Sequence, residues 1–292
     1  MITIINNSCS FISNFENILP YKTCKIENIY EVNDYLNLDI TTNNGTIKIV
    51  NGEKNKLKVI FDYKVIAKSQ DDALRVSNLI QNDLPIEIIG NTVQIGDIRK
   101  YNLKQLTSLE NVFFSYSIEA PYNTVLDVFS GIGNLSIENI EGPVRLNTNS
   151  GNLIIKKVEK RVDANTLNGN INAEDLLFSA SLTTTKGNII LYRSPNDLFL
   201  KTGLGNIFLD SNVSSNVNWK ITTSLGNIEI ILPSNPNVLI NAKTDFGSFK
   251  SDFQITSSFE RENEVEGTIG INPFSKITLK TGSGNISLKK IE

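Results

Sequence analysis

Apolar and polar residues alternate along most of this chain with a strand's period of two, and a glycine breaks the alternation at regular intervals. Leu146–Ile155, LNTNSGNLII, shows the phrase plainly: an apolar residue, a Thr two positions on, a turn ending in Gly-Asn, then two aliphatics one residue apart. It returns as ANTLNGNINA, LTTTKGNIIL, LKTGLGNIFL, ITTSLGNIEI, AKTDFGSFKS and LKTGSGNISL, is preceded by VFSGIGNLSI, and has a first copy far upstream, ITTNNGTIKI. From Val128 onward the glycine falls at 133, 151, 169, 187, 205, 226, 247 and 284, so four intervals are 18 residues, two are 21 and the last is 37. That period, with strand alternation, predicts a β-solenoid in which each repeat is one coil.

Columns through the repeats orient the coil. The position five before the glycine (Leu146, Ala164, Leu182, Leu200) and the position two after it (Leu153, Ile171, Ile189, Ile207) are apolar in all nine copies. Between the first of these and the turn stand polar residues such as Asn147, Thr183, Lys201 and Lys280. Strand side chains alternate faces, so the apolar columns point inward and the polar one outward. The third position before the glycine is Thr in eight of nine copies, with Ser130 the exception, and by parity its hydroxyl faces inward. A buried hydroxyl needs a partner, and threonines stacked from coil to coil are expected to supply it. Gly and Asn are expected at the corner because both tolerate left-handed backbone. A single coil buries too little to offset its ordering entropy, so the coils must be contiguous and their ends covered. Parallel crossovers are overwhelmingly right-handed. The left-handed alternative needs an aliphatic every six residues, and six-residue steps from Leu135 land on Glu141 and Asn147.

Upstream the pattern is less uniform. Apolar clusters at Ile2–Ile5 and Phe11–Phe15 lead to a strand approach over Ile26–Leu38 and to the first coil at 40–49. Leu57, Val59, Phe61, Tyr63, Val65 and Ala67 lie on one face of a half-buried strand. Ser69 reads as the N-cap of a helix from about 70 to 82, with Ala73, Val76 and Ile80 on its buried face and Pro85 beyond its end. Strands are expected at Ile86–Ile89, Thr92–Ile95 and Val112–Ile118, and Ala120-Pro121 turns back into the repeats. The expected organisation is an all-β, right-handed parallel β-helix with about 18–21 residues per coil. Residues 1–127 form its β-rich N-terminal part with one short helix, and 128–292 the main solenoid, in one continuous domain.

Composition narrows the chemistry. The 292 residues include no histidine, which removes Ser-His-Asp and Cys-His catalysis, histidine metal sites and histidine pH switching. A formal net charge of −3 weighs against nucleic-acid binding. Cys9 and Cys24 could be bonded, but free buried thiols are the preferred reading. The N-terminus lacks the basic and apolar regions of a secretory signal, and no stretch is apolar enough for a transmembrane helix. Both point to a soluble, by default cytoplasmic, chain.

Each candidate site has a plainer reading. Gly131/Gly133, Gly203/Gly205 and Gly282/Gly284 resemble nucleotide loops, but a strand follows each where phosphate binding needs a helix N-terminus. The Gly-Asn columns lack the carboxylates of a calcium β-roll. Glu260, Glu262, Glu264 and Glu266 read as a solvated loop tip rather than a cation site. Asp245 and Glu229 fall in different coils and columns, so no acid pair for glycan cleavage is assembled from them. Phe208, Tyr192 and Trp219 either present a glycan- or protein-binding surface or pack under the longer loops. Lys289-Lys290 at the last strand suits a guarded edge better than an end-to-end polymer.

LNLDITTNNGTIKI (36–49), YSIEAPYNTVLDV (116–128) and TLKTGSGNISL (278–288), in this order around one helix, resemble the bacterial putative adhesin family, a right-handed parallel β-helix of unknown function. The resemblance implies a non-enzymatic surface or envelope role. The expectation is therefore a structural or interaction protein whose partner is a protein or glycan surface; oligomeric state stays open. The alternative is a glycan-binding module or glycan-active β-helix enzyme. No catalytic, cofactor-binding or metal-binding residue is assigned.

Overall fold

The computed structural model describes residues 2–12, 19–101 and 109–291, so Phe15 of the second apolar cluster lies outside the described residues. The chain divides into two compact units, Met1–Gly142 and Pro143–Glu292.

In the first unit β1 (Ile2–Ile12), β2 (Tyr21–Glu31), β3 (Leu36–Asn44), β4 (Ile47–Asn51) and β5 (Lys56–Ala67) precede helix α1 (Gln70–Asn82). After it come β6 (Ile86–Ile89), β7 (Thr92–Ile95), β8 (Leu109–Ala120), β9 (Thr124–Ile132) and β10 (Leu135–Ile140). One sheet joins β1, β2, β5 and β8 antiparallel, then β4 and β10 parallel. The other sets β9, β3 and β7 parallel, with β6 antiparallel to β7. The six alternating residues of β5 are all buried, and Phe61 meets Tyr116 of β8 edge-on with ring centroids 5.6 Å apart. Ser69 caps α1, its Oγ accepting from the Asp72 N–H at 3.2 Å, and Ala73, Val76 and Ile80 face inward as their spacing predicts.

The preference for free thiols is corrected here. Cys9 and Cys24 are direct cross-strand partners of β1 and β2, with Cα atoms 4.2 Å apart, and they are disulfide-bonded. The antiparallel ladder, invisible in the spacing of two isolated cysteines, brings them together.

In the second unit the coils are strand pairs. They are β11 (Val144–Ser150) and β12 (Leu153–Val158), β13 (Val162–Asn168) and β14 (Ile171–Leu176), and β15 (Ala180–Lys186) and β16 (Ile189–Tyr192). Next come β17 (Leu198–Leu204) and β18 (Ile207–Asp210), β19 (Asn218–Leu225) and β20 (Ile228–Leu232), and β21 (Val238–Phe246) and β22 (Phe249–Ser251). A hairpin of β23 (Thr256–Arg261) and β24 (Glu264–Ile269) follows, then a last coil of β25 (Ser275–Ser283) and β26 (Ile286–Lys290). Pairing between coils is parallel and in register, so identical columns stack. The inward aliphatics, Leu182, Ile189 and Leu200 among them, are fully buried.

The coils do not stack in sequence order. β25 pairs with β19 on one side and β21 on the other, and β26 lies between β20 and β22. The chain leaves a gap after β20, and its last coil fills it. The reading of Lys289-Lys290 as an edge is therefore corrected. The edges on that side are the three-residue β22 and the exposed β23, whose hairpin covers β21. A very short strand and a charged hairpin blunt an open edge.

Two ladders hold the corners. Inward threonines of the second unit donate to the carbonyl of the neighbouring coil's glycine rather than to another threonine: Thr166 to Gly151 at 3.0 Å, Thr184 to Gly169 at 2.9 Å, Thr281 to Gly226 at 2.9 Å and Thr244 to Gly284 at 2.8 Å. Each corner asparagine takes the next coil's backbone N–H on its Oδ1, as Asn188 does from Asn206 at 2.7 Å. The asparagines keep φ negative, so the ladder, not left-handed backbone, explains them. Left-handed residues occur instead six positions after the glycine, at Lys157, Asp175 and Arg193.

Candidate functional site

A cleft of about 710 Å3 opens on the outer face of the first unit's smaller sheet. Its floor follows from register. Asp39 of β3 lies opposite Asp127 of β9 and Gln94 of β7, and Gln94 opposite Glu87 of β6. One outward row across four strands is thus Glu87, Gln94, Asp39 and Asp127. One step along, Thr41 lies beside Phe129. The neighbouring residues Leu38, Ile40, Leu126 and Val128 are buried, so alternation obliges this row to face out.

The wall is the segment from Pro85 and Gly96 to Lys100. Asp97, almost fully buried, clamps it: one carboxylate oxygen accepts from the Asn43 N–H at 2.8 Å, the other from the Arg99 N–H at 2.9 Å and its Nε at 2.8 Å. The Tyr116 hydroxyl donates to the Gly96 carbonyl, and Lys100 Nζ donates to Asp83 Oδ1 at 2.7 Å and to the Leu84 carbonyl at 2.8 Å. These bonds make the cleft pre-formed. Partial burial, with the neighbouring Asp127 charge, pushes the Asp39 carboxyl above its ordinary range. Side-by-side carboxylates, an amide, a hydroxyl and an aromatic face suit a polyhydroxylated ligand, whose hydroxyls donate to carboxylates while a ring face packs on Phe129.

The structure does not bring Asp245 and Glu229 together. Glu229 lies on β20 and pairs with Lys289 at 2.9 Å, whereas Asp245 is exposed on β21 of the other sheet. Glu264 pairs with Lys243 at 3.1 Å and Glu260 accepts from the Ser257 hydroxyl at 3.0 Å, both on the β23–β24 hairpin. Trp219 is buried, its Nε1 donating to the Asn196 carbonyl at 2.7 Å, so packing beneath a longer loop describes it. Tyr192 and Phe208 do face outward, ring centroids 5.5 Å apart. Beside them Arg193 clasps Asp175, Nε to Oδ1 at 2.6 Å, and Glu174, and holds both carboxyls below their usual range. Sequence reading missed the cleft: Asp39 and Asp127 occupy a column that varies from coil to coil.

Stacked parallel coils with inward hydroxyl and corner asparagine ladders define a β-solenoid protein. A family model described as Toastrack DUF4097 matches residues 26–289, and the chain belongs to that family. No curated protein sequence matches it significantly. Among solved structures it is similar to a putative adhesin from Bacteroides fragilis, at 15% identity over 90% of this chain and 96% of that one, TM-score 0.47. It is also similar to a putative cell adhesion protein from Clostridium sporogenes (15% identity, 91% and 99% covered, TM-score 0.30). A third is a putative lipid binding protein from Parabacteroides distasonis (13%, 92% and 97%, TM-score 0.39). Likenesses of this strength carry no argument about function.

Proposed function

We propose that this chain is a non-enzymatic, adhesin-like interaction protein of the cell envelope that holds its partner on its outward rows. The observation that supports this best is the division of labour across each strand. Repeating residues face inward and satisfy one another, as Thr202 and Gly187 do. Outward residues differ from coil to coil and include the Tyr192–Phe208 pair. Surfaces that vary on a fixed scaffold are where binding specificity resides. The Cys9–Cys24 disulfide supports an oxidising compartment rather than the cytoplasmic default.

The cleft favours glycan binding as the specific form of this role, because its floor pairs Asp39 and Asp127 beside Gln94 and Phe129. A glycan array, run alongside immobilised envelope fractions, tests both readings. Saturable binding weakened by Asp39→Asn and by Phe129→Ala supports the cleft. Binding to envelope material that neither substitution alters leaves the broader role and removes the cleft from it. Sugar release that disappears in Asp39→Asn replaces the non-enzymatic reading.

A further inference from the structure

The overall charge of −3 conceals a basic face on the second unit. β17, β19 and β25 are neighbours in one sheet, and their outward positions carry Lys201, Lys220, Lys276 and Lys280 with no carboxylate among them. Strands about 4.8 Å apart, with alternate residues roughly 7 Å apart, put the four lysine stems on a patch of about 10 by 13 Å. All four are exposed, and among the described residues none pairs with a carboxylate. Lys220 lies over the Phe199 ring at 5.9 Å. Lys243, one strand further, is already held by Glu264.

Elsewhere in the second unit several outward charges are paired, as in Arg161–Asp163, Arg193–Asp175 and Lys289–Glu229. Like charges gathered on neighbouring strands cost stability unless something neutralises them. Thr222, Thr278 and Asn218 stand between the lysines, and a depression of about 390 Å3, lined by Arg161, Asp197, Phe199 and Lys220 among others, opens at one side of the face. The exposed Leu204 and Leu225 stand at strand ends beside the glycine corner, and the exposed apolar side chains beside the lysines are two, Phe199 next to Lys220 and Leu239 of β21 next to Lys276.

We propose that this face binds an extended anionic polysaccharide. Its carboxylates or sulfates meet Lys201, Lys220, Lys276 and Lys280, its hydroxyls meet the threonines, and a sugar ring lies on Phe199. The proposal rests on the interaction-protein reading and names one partner class for it. Each exposed contact is weak, so binding depends on several made at once along one polymer.

The test is retention of the full chain on polygalacturonate and on dextran sulfate, with neutral dextran and phosphatidylglycerol vesicles as comparison surfaces. Binding is expected on either anionic polymer and not on neutral dextran. It should weaken about tenfold in K201Q/K220Q/K280Q, three surface contacts of about 0.5 kcal/mol each, and fall as salt rises from about 0.05 to 0.5 M. K156Q/K250Q/K289Q removes equal charge from the other sheet and should bind like the wild type. Equal binding by the two triple variants, or tighter binding to the vesicles, overturns the proposal. So does the absence of binding to both polymers, and if envelope material is still retained in that case, the broader reading survives. Depolymerisation of either polymer counts against the broader reading itself.

Discussion

Thr202 donates from Oγ1 to the carbonyl oxygen of Gly187, in the corner of the neighbouring coil, at 2.8 Å. The Thr202 side chain is buried and the bond repeats along the stack, so one residue type serves as both core filler and cross-coil tie. Thr202→Val keeps the shape and leaves the Gly187 carbonyl without its donor. We expect a loss of about 1–2 kcal/mol, read from urea unfolding, with Thr202→Ser recovering part of it. Unchanged stability in the valine variant would show the ladder to be incidental.

Gly205 has φ 153°, and a Cβ there would stand 2.1 Å from the Gly187 carbonyl oxygen. Both the backbone and the stacking distance exclude a side chain. Gly205→Ala should cost more than about 3 kcal/mol, because the coil spacing itself must open. A melting temperature equal to that of the wild type would contradict the close-stacked corner.

The Cys9–Cys24 bond closes a separation of 15 residues. Removing it with Cys9→Ser/Cys24→Ser should cost about 2–3 kcal/mol by releasing the unfolded chain. Protein kept from reductant should titrate with no free thiol. Two reactive thiols under those conditions would restore the free-cysteine reading.

Asp39 is an acid whose folded-state pKa is raised, by burial first and by Asp127 second. Its charged form is therefore disfavoured by folding. The penalty is complete above the raised pKa and fades as pH falls through the interval down to the unfolded value, about 3.9. Asp39→Asn should be more stable than the wild type at neutral pH, and the difference should vanish near pH 3, as followed by thermal melts across that range. A difference of the opposite sign at neutral pH would mean that Asp39 is held by a favourable partner.

Much of the fold was legible because its determinants repeat. The inward columns that include Leu200 and Ile207, the glycine corner and the helix capped by Ser69 all follow from local spacing. Stacking order was not legible. Every copy presents the same columns, so nothing in LKTGSGNISL distinguishes a last coil from an inserted one, and only the register of β25 with β19 and β21 reveals the insertion. The left-handed corner at Lys157, Asp175 and Arg193 was hidden by its varied residues. The cleft was hidden for the same reason. Asp39 and Asp127 are neighbours only through the pairing of β3 with β9, across the whole intervening excursion.

An interaction protein of this kind binds without turning over what it binds. The most direct measurement incubates the purified chain with polygalacturonate and follows, in one sample, protein retained on the polymer and reducing ends released. The expected result is retention that saturates while reducing ends stay at the level of the protein-free control. Reducing ends that rise with protein concentration, and fail to rise with Asp39→Asn, would contradict it.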